Sequence, residues 1–398
     1  MSCHAKFVFG QEELSYRFND DHPFNPKRLE LTVDLLIKAG ALPDDSIIPP
    51  RQATIEELSR VHLPEYIAAV QALSLPNPEE RWIQEADRWG LMDEDTPYFE
   101  GMHDTTSLLV GGSLEAVDAV MTGQANHALH LGGGLHHAMP NKGGGFCVYN
   151  DASVAIAHLR HKYNSRVLYI DTDVHHGDGV QWSFYSDPNV CTFSIHETGK
   201  YLFPGTGAAG ERGEGEGFGT NINLPMDPYT EDESWMDGFK EVLLKVVDYF
   251  KPDVIISQHG CDAHAFDPQA HMHCSMNIYL QMPYWIHEVA HQYCEGRWIA
   301  LGGGGYEIWR VVPRAWALLW MTMADHPLIA TLQSKPLTPL PEEWLKQWQP
   351  ESPFPLPDTW LDPVEQWEPI PRRNEININN KHSKEVALLY LPDSPSDP

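Results

Sequence analysis

Short apolar segments, each followed by polar or glycine-rich residues, recur along this chain. Apolar, β-prone runs begin near residues 127, 167, 190, 254 and 298, and longer segments with apolar residues at helical spacing lie between them. Apolar runs without polar alternation are typical of strands buried on both faces of a parallel sheet. The alternation of strand and helix therefore predicts an α/β fold, a single domain with a mostly parallel multi-stranded sheet and helices on both faces.

Several of the segments outside these runs contain residues that are typical of the start or the end of a helix. Asn25 as a cap, Pro26 at the first helical position and Gly40 as a terminator predict one helix. Capping-box sequences at residues 54–57 and 230–233 predict the starts of two more. Other segments with helical spacing are 111–122 and 150–161.

Two segments depart from regular spacing. Residues 77–104 are broken by Trp, Pro, Gly and acidic residues, so we expect a long surface loop there. The chain becomes rich in Pro and Trp after about residue 332. We therefore expect residues 1–330 to form the α/β domain and residues 331–398 a Pro/Trp-rich extension that wraps the domain or joins an oligomer contact. Within it, residues 393–398 are predicted to be disordered.

Composition excludes several classes of partner. The chain has 398 residues and is 42% hydrophobic, enough for a large core. Its 27 basic and 56 acidic residues give a formal net charge of -29, which repels phosphate backbones and anionic lipids, so we expect neither nucleic acid nor a membrane as a direct partner. Without an apolar leader or spanning segment, the prediction is a cytoplasmic protein. Six cysteines without CxxC spacing suit reduced thiols.

Candidate metal ligands follow two of the apolar runs. Asp171, Asp173 and His175 come at the end of the run that begins at residue 167, and residues two apart in extended chain point the same way. Ligands of open α/β sheets bind beyond the carboxyl ends of the strands. A polar loop with salt bridges would use the same residue types, but similar clusters recur at successive strand ends. We therefore predict that Asp173, His175 and Asp262 hold a catalytic divalent ion, Zn²⁺ or Fe²⁺.

The remaining clusters supply groups for hydrolysis. Such an ion lowers the pKa of a coordinated water and makes it a nucleophile. His136 and His137 follow a glycine turn and could act as general base and acid, with Asp171 and Asp178 available to fix their tautomers. Tyr306, after four glycines, could stabilise a developing oxyanion.

These motifs together resemble the signature set of the histone deacetylase family, over about residues 15–325. The motifs are Gly-Gly-Gly-Leu-His-His-Ala at 132–138, Gly-Phe-Cys at 145–147, Asp-Thr-Asp-Val-His-His-Gly-Asp-Gly-Val at 171–180, Phe-Pro-Gly-Thr-Gly at 203–207, Gly-Cys-Asp at 260–262 and Gly-Gly-Gly-Gly-Tyr at 302–306. Within the family, the chain looks most like bacterial acetoin utilization proteins, through His-Pro-Phe-Asn-Pro-Lys-Arg at 22–28 and Gln-His-Gly-Cys-Asp-Ala-His at 258–264.

The resemblance implies an arginase/deacetylase-like fold and a zinc-dependent hydrolase that removes acetyl groups from N6-acetyl-lysine of proteins. It implies a metabolic enzyme such as an acetyl-CoA synthetase as the substrate. By resemblance, Asp173, His175 and Asp262 match the zinc ligands, His136 and His137 the acid/base pair and Tyr306 the carbonyl-polarising residue.

The resemblance also assigns residues outside the metal site. Gly145, Phe146 and Phe203 match the substrate tunnel, Asp95 the rim carboxylate that holds the substrate backbone, and Arg28 the arginine of an internal product channel. A potassium (K⁺) site beside the zinc is implied for Asp171, Asp173, His175 and Ser194.

Two positions depart from the family pattern, and alternatives stay open. Leu135 stands where many eukaryotic relatives have an aromatic residue, and Gln269 where an apolar tunnel residue is usual, so the acyl-chain preference is open. An acetylpolyamine amidohydrolase is an alternative that an acidic surface would favour. A non-catalytic acyl-lysine-binding scaffold is another, although the complete residue set argues against it. An arginase-like two-manganese site lacks sufficient further ligands.

Overall fold

The chain folds around one parallel sheet. The computed structural model describes residues 4–389 and residue 391, so the predicted disordered segment 393–398 lies outside the described residues. Within them, eight strands pair in the order β2-β1-β3-β8-β7-β4-β5-β6, and every neighbouring pair is parallel, which confirms the predicted sheet. The strands are β1 Ala5–Val8, β2 Ile47–Ile48, β3 His127–His130, β4 Val167–Asp171, β5 Val190–Glu197, β6 Asn221–Met226, β7 Val254–Gln258 and β8 Trp298–Leu301.

Helices connect the strands and cover the sheet. Among the described residues the α-helices are α1 Lys27–Lys38, α2 Ile55–Leu58, α3 Pro64–Leu73, α4 Glu80–Glu85, α5 Met102–Met121, α6 Asp151–Tyr163, α7 Asp178–Ser183, α8 Asp232–Phe250, α9 Met276–Tyr293, α10 Val312–Met323, α11 Pro327–Ser334, α12 Glu342–Trp348 and α13 Arg373–Leu389. Short 3₁₀ turns lie at Gln11–Ser15, Asp44–Ser46, Ala86–Trp89, Gly215–Gly217 and Val364–Gln366. None of the helices in these residues is both long and apolar enough to cross a membrane.

Successive strand residues pack on opposite faces of the sheet. Leu129 and Ala300, which are register partners in β3 and β8, pack in the core formed with α1, α8, α9 and α10. Their neighbours Ala128 and Ile299 pack in a second core with α5 and α6. Both faces of the sheet are therefore covered, as the apolar strands predicted.

The segment 77–104 is more regular than predicted. It contains α4, and α5 begins at Met102 instead of near residue 111. The Thr and Gly residues of this region favour helix weakly, but Met102, Leu109 and Val110 are completely buried or nearly so. Burial of this apolar face therefore outweighs local propensity.

The boundary predictions at two helix starts had different outcomes. Thr54 and Glu57 form the predicted capping box of α2. The capping box predicted at residues 230–233 is wrong, because the Thr230 hydroxyl donates to Asp227 O (2.6 Å) in the turn between β6 and α8. The helix α8 starts after Glu231, whose side chain makes no capping hydrogen bond.

The C-terminal extension lies along the sheet domain and contains helices that its sequence did not reveal. Its apolar side chains join the same core as those of α1 and α10. Trp344 Nε1 donates to Leu31 O (3.1 Å) and Trp348 Nε1 to Asp34 Oδ2 (2.6 Å), both on α1. The extension therefore wraps the domain, while the boundary at residue 330 stays a prediction.

Candidate active site

The predicted metal ligands, the histidine pair and the predicted oxyanion donor lie at the carboxyl ends of four strands that are adjacent in the sheet. The strands are β3, β8, β7 and β4, in that order. His136 and His137 follow β3, and Tyr306 follows β8. Asp262 follows β7, and Asp171 ends β4 just before Asp173 and His175. Loops far apart in sequence therefore meet at one edge of the sheet, where ligands of such folds bind.

Asp173, His175 and Asp262 form a compact group of possible metal ligands. One ligand atom from each lies within 4.8 Å of the others, and all three residues are buried. Nδ1 of His175 is 3.2 Å from Asp173 Oδ1 and 3.0 Å from Asp262 Oδ2. Burial, together with the charge of Asp173, raises the pKa of the Asp262 carboxyl. Two buried carboxylates beside one imidazole nitrogen fit a divalent ion, which would neutralise their charge.

The loop after β4 is shaped by its own aspartates. Asp171 Oδ1 accepts the Asp173 N–H (3.1 Å) and Asp173 Oδ1 accepts the His175 N–H (2.9 Å), the local side-chain-to-backbone pattern of an Asx turn. Asp173 Oδ2 accepts hydrogen bonds from Gln258 Nε2 (3.0 Å) and Gly304 N (2.6 Å). These partners hold the carboxylate in place, as outer hydrogen bonds do around metal ligands.

Each histidine of the pair has its own carboxylate. His136 Nδ1 lies 2.8 Å from Asp171 Oδ2, His137 Nδ1 lies 2.7 Å from Asp178 Oδ1, and the two Nε2 atoms are 3.0 Å apart. Burial lowers the pKa of His136, but the charges of Asp171 and neighbouring carboxylates outweigh it and raise the pKa to about 9. Burial and the charge of His136 lower the pKa of His137. The two imidazoles are thus chemically distinct.

Asn150 and Asp151 hold the loop that carries the histidine pair, and sequence reasoning missed both. Asp151 Oδ1 accepts the N–H groups of Gly134 (3.0 Å) and Leu135 (2.8 Å), and Asn150 Nδ2 donates to His136 O (3.0 Å). Both stand at the start of the segment 150–161, which was predicted only to be helical, and Asn150 also caps this helix. The signal that the sequence offered for them was a pair of adjacent polar residues at the start of a largely buried helix.

Tyr306 also lies close to the metal-ligand group. Its ring centroid lies 6.5 Å from that of His175, and burial with the charges of Asp262 and Asp173 raises the pKa of its phenol. Asp267, another residue that the sequence analysis missed, accepts the Tyr306 N–H at Oδ2 (2.7 Å). This contact fixes the backbone of the glycine-rich loop.

Aromatic side chains lie beside Tyr306 and His137. The Phe146 ring lies 5.6 Å from that of Tyr306, and the Phe203 ring lies 5.0 Å from that of His137. Phe203 is 50% exposed, so this side of the site opens to solvent. Asp95 Oδ2 accepts the N–H of Gly145 (2.6 Å) and therefore lies beside Phe146.

Arg28 lies behind the site and is buried. Its Nη1 donates to Gly303 O (2.8 Å) and Gly305 O (3.2 Å) in the loop of Tyr306. Its guanidinium stacks on the Phe24 ring at 4.2 Å and also lines a small cavity with Glu13 and other residues. Arg28, in the first turn of α1, therefore has specific partners inside the fold and is not a solvated surface side chain.

Ser194 lies next to the site, on the strand that neighbours β4 in the sheet. It is the register partner of Asp171 in the pairing of β5 with β4. Its hydroxyl lies 2.7 Å from His196 Nδ1. Its role as a potassium ligand stays a prediction.

Comparison with known proteins shows which proteins this chain resembles over most of its length. The family model described as "Histone deacetylase domain" matches residues 22–323. The chain is 50% identical over 385 residues to the acetoin utilization protein AcuC of Bacillus subtilis, covering 97% of each chain. It is 47% identical over 386 residues to AcuC of Staphylococcus xylosus, covering 96% of this chain and 97% of that one.

A solved structure has the same fold. The crystal structure of an HDAC homolog from Aquifex aeolicus aligns with a TM-score of 0.83 and 26% identity, over 96% of this chain and 100% of that one. A second crystal structure, of an HDAC homolog complexed with SAHA, aligns with a TM-score of 0.82. The chain therefore belongs to the histone deacetylase family, whose members are deacetylase hydrolases.

Proposed function

We propose that this protein is a metal-dependent amidohydrolase that removes acetyl groups from N6-acetyl-lysine of proteins. The observation that carries the proposal is the position of His137 and Tyr306 around the ligand group. Their ring centroids lie 6.0 Å and 6.5 Å from that of His175. An amide carbonyl beside the ligand group would therefore have an acid/base residue and a hydroxyl donor in reach.

Asp173, His175 and Asp262 would hold the ion, with Zn²⁺ suiting their nitrogen and oxygen donors and Fe²⁺ also compatible. When bound, the ion supplies Lewis-acid polarisation of the carbonyl and activation of water. His137 accepts the proton of the attacking water, because its lowered pKa keeps it neutral, and later returns this proton to the leaving amine. Asp178 orients His137 through Nδ1.

Tyr306 donates its hydroxyl hydrogen to the developing oxyanion. Its raised pKa keeps the phenol protonated and therefore able to donate. Phe146 and Phe203 flank the path of the alkyl chain of the lysine, and Asp95 at the rim accepts backbone N–H groups of the substrate. Arg28 lies on the inner side, where its cationic guanidinium suits the acetate product.

We further propose that the acetylated partner is a metabolic enzyme, such as an acetyl-CoA synthetase. Relatives named acetoin utilization proteins support a metabolic role. Acetylpolyamine hydrolysis is a second candidate, since a net charge of -29 attracts polyamine cations. A potassium ion at Asp171, Asp173, His175 and Ser194 is part of the same proposal.

The test combines metal analysis with activity. The purified protein should contain Zn²⁺ or Fe²⁺ bound at the Asp173, His175 and Asp262 group and should hydrolyse an acetyl-lysine peptide. Asp262→Ala should lose both the metal of this site and the activity, whereas Asp358→Ala, at an exposed position, should keep both. Full activity of Asp262→Ala would refute the assigned role, and faster hydrolysis of acetylspermidine than of the peptide would favour the second candidate.

A further inference from the structure

Three histidines lie together at the opposite edge of the sheet from the candidate active site. His127 is the first residue of β3, and His287 and His291 lie on α9. One ring nitrogen from each lies within 4.8 Å of the others, and Nε2 of His127 is 3.2 Å from Nε2 of His291. The three ring centroids are 4.5–5.1 Å apart.

The environment of His127 and His287 favours neutral imidazoles, because burial lowers the pKa of both side chains. His127 is completely buried, and its Nδ1 has no hydrogen-bond partner. Nε2 of His287 is also buried without a hydrogen bond, and Asp325 Oδ1 is 3.8 Å away from it. Burial and the two neighbouring histidines lower the pKa of His127 to about 3. A neutral imidazole is the form that binds metal ions.

The geometry suits a transition metal. Residues four apart on a helix share one face, so α9 directs His287 and His291 to the same point. Three histidines form the ligand set of open zinc sites, and imidazole also suits Cu²⁺, Ni²⁺ and Co²⁺. Zn–N bonds of about 2.0–2.1 Å place two tetrahedral ligand nitrogens roughly 3.4 Å apart. The 3.2 Å separation of the His127 and His291 nitrogens is close to this value.

We propose that His127, His287 and His291 form a second metal site, for Zn²⁺ or another divalent transition-metal ion, separate from the candidate active site. His291 is exposed, so the ion reaches the cluster from the surface. Asp325 lies close enough to supply a carboxylate ligand or to hydrogen-bond His287 after small side-chain movements. The ion would tie α9 to the start of β3, and its binding would stabilise the fold.

The test separates the two sites by mutation. Four full-length proteins are compared: the wild type, Asp173→Ala/Asp262→Ala, His287→Gln/His291→Gln and the variant that combines all four changes. Each is stripped with a chelator and titrated with Zn²⁺ in competition with a chromophoric chelator, and with Co²⁺ followed by visible absorption. We expect two equivalents for the wild type, one for each double variant and none for the combined variant.

The controls make a negative result informative. His161→Gln, at an exposed position on α6, should bind like the wild type. His291→Gln alone should lose the second equivalent with an unchanged circular dichroism spectrum, which covers the case in which the His287 change disturbs folding. Zn²⁺ should also raise the melting temperature of Asp173→Ala/Asp262→Ala but not of the combined variant. If Asp173→Ala/Asp262→Ala binds no Zn²⁺ or Co²⁺, or keeps its equivalent after the histidine changes, the proposal is wrong.

Discussion

Individual hydrogen bonds give the two adjacent histidines of the candidate active site different environments. His136 bonds Asp171 at the end of β4 and lies deeper, whereas His137 bonds Asp178 at the start of α7 and contacts the exposed Phe203 ring. The pKa of His136 is raised to about 9 and that of His137 is lowered, mainly because their charged neighbours differ. In the proposed mechanism, His137 is therefore the residue that exchanges protons with the substrate.

Tyr306→Phe tests the proposed role of the Tyr306 hydroxyl as oxyanion donor. The change removes only the hydroxyl, while Asp267 still holds the backbone of the loop. We expect kcat for an acetyl-lysine peptide to fall by about 10²–10³-fold, the usual effect of losing one oxyanion donor. The metal content and the melting temperature should not change. Steady-state kinetics with the matched variant Tyr229→Phe, at an exposed tyrosine, provides the control, and equal kcat values would contradict the role of Tyr306.

At the scale of elements, local sequence predicted the strands that are continuous apolar runs. Val167–Asp171 and Val254–Gln258 are buried at every position, so their composition alone identifies them. Ala5–Val8, Ile47–Ile48 and Asn221–Met226 were not predicted, because they are short or mix polar with apolar residues. These strands depend on pairing with their neighbours, which a local pattern does not contain.

The site was more predictable than the residues that support it. Asp173, His175 and Asp262 stand directly after strands, where a parallel sheet brings ligands together. Asp151 and Asp267 act on loops distant in sequence, so no local spacing reveals their partners. Local spacing does not reveal the histidine cluster of the second proposed site either. His127 comes from β3, far in sequence from His287 and His291 on α9.

Gly304→Ala tests whether the loop after β8 needs a residue without a side chain where its backbone lies against the metal ligands. A Cβ at this position would collide with the Asp262 and Asp173 carboxylates, and the Gly304 N–H itself bonds Asp173. We expect the variant to lose the metal of the active site and its deacetylase activity. Metal analysis after dialysis measures this. Gly210→Ala, where a Cβ meets no atom within 4 Å, should behave like the wild type, and normal metal content in Gly304→Ala would contradict the steric argument.

For the whole molecule, the order of strands explains why remote segments share one site, and the C-terminal extension packs into the core on one face of the sheet. Asp362 in the extension accepts hydrogen bonds from Arg314 Nη1 (2.9 Å) and Met276 N (2.8 Å), and lies 2.9 Å from His264 Nε2. Burial alone would raise its pKa, but the hydrogen bond with His264 and the charge of Arg314 lower it well below the usual value. Its carboxylate therefore links α9 and α10 to the extension.

Asp362→Asn should weaken this link in a pH-dependent way. Removing the charge leaves the Arg314 guanidinium buried without its anion, which costs about 3–5 kcal/mol in comparable buried pairs. Because the pKa of Asp362 is lower in the folded state, its stabilisation is complete above the unfolded pKa of about 3.9 and is lost as the pH falls below that value. Urea unfolding should therefore show a large difference between wild type and Asp362→Asn at neutral pH and a smaller one below about pH 4. Asp358→Asn, at an exposed position in the same segment, should match the wild type throughout, and a pH-independent difference for Asp362→Asn would contradict the electrostatic link.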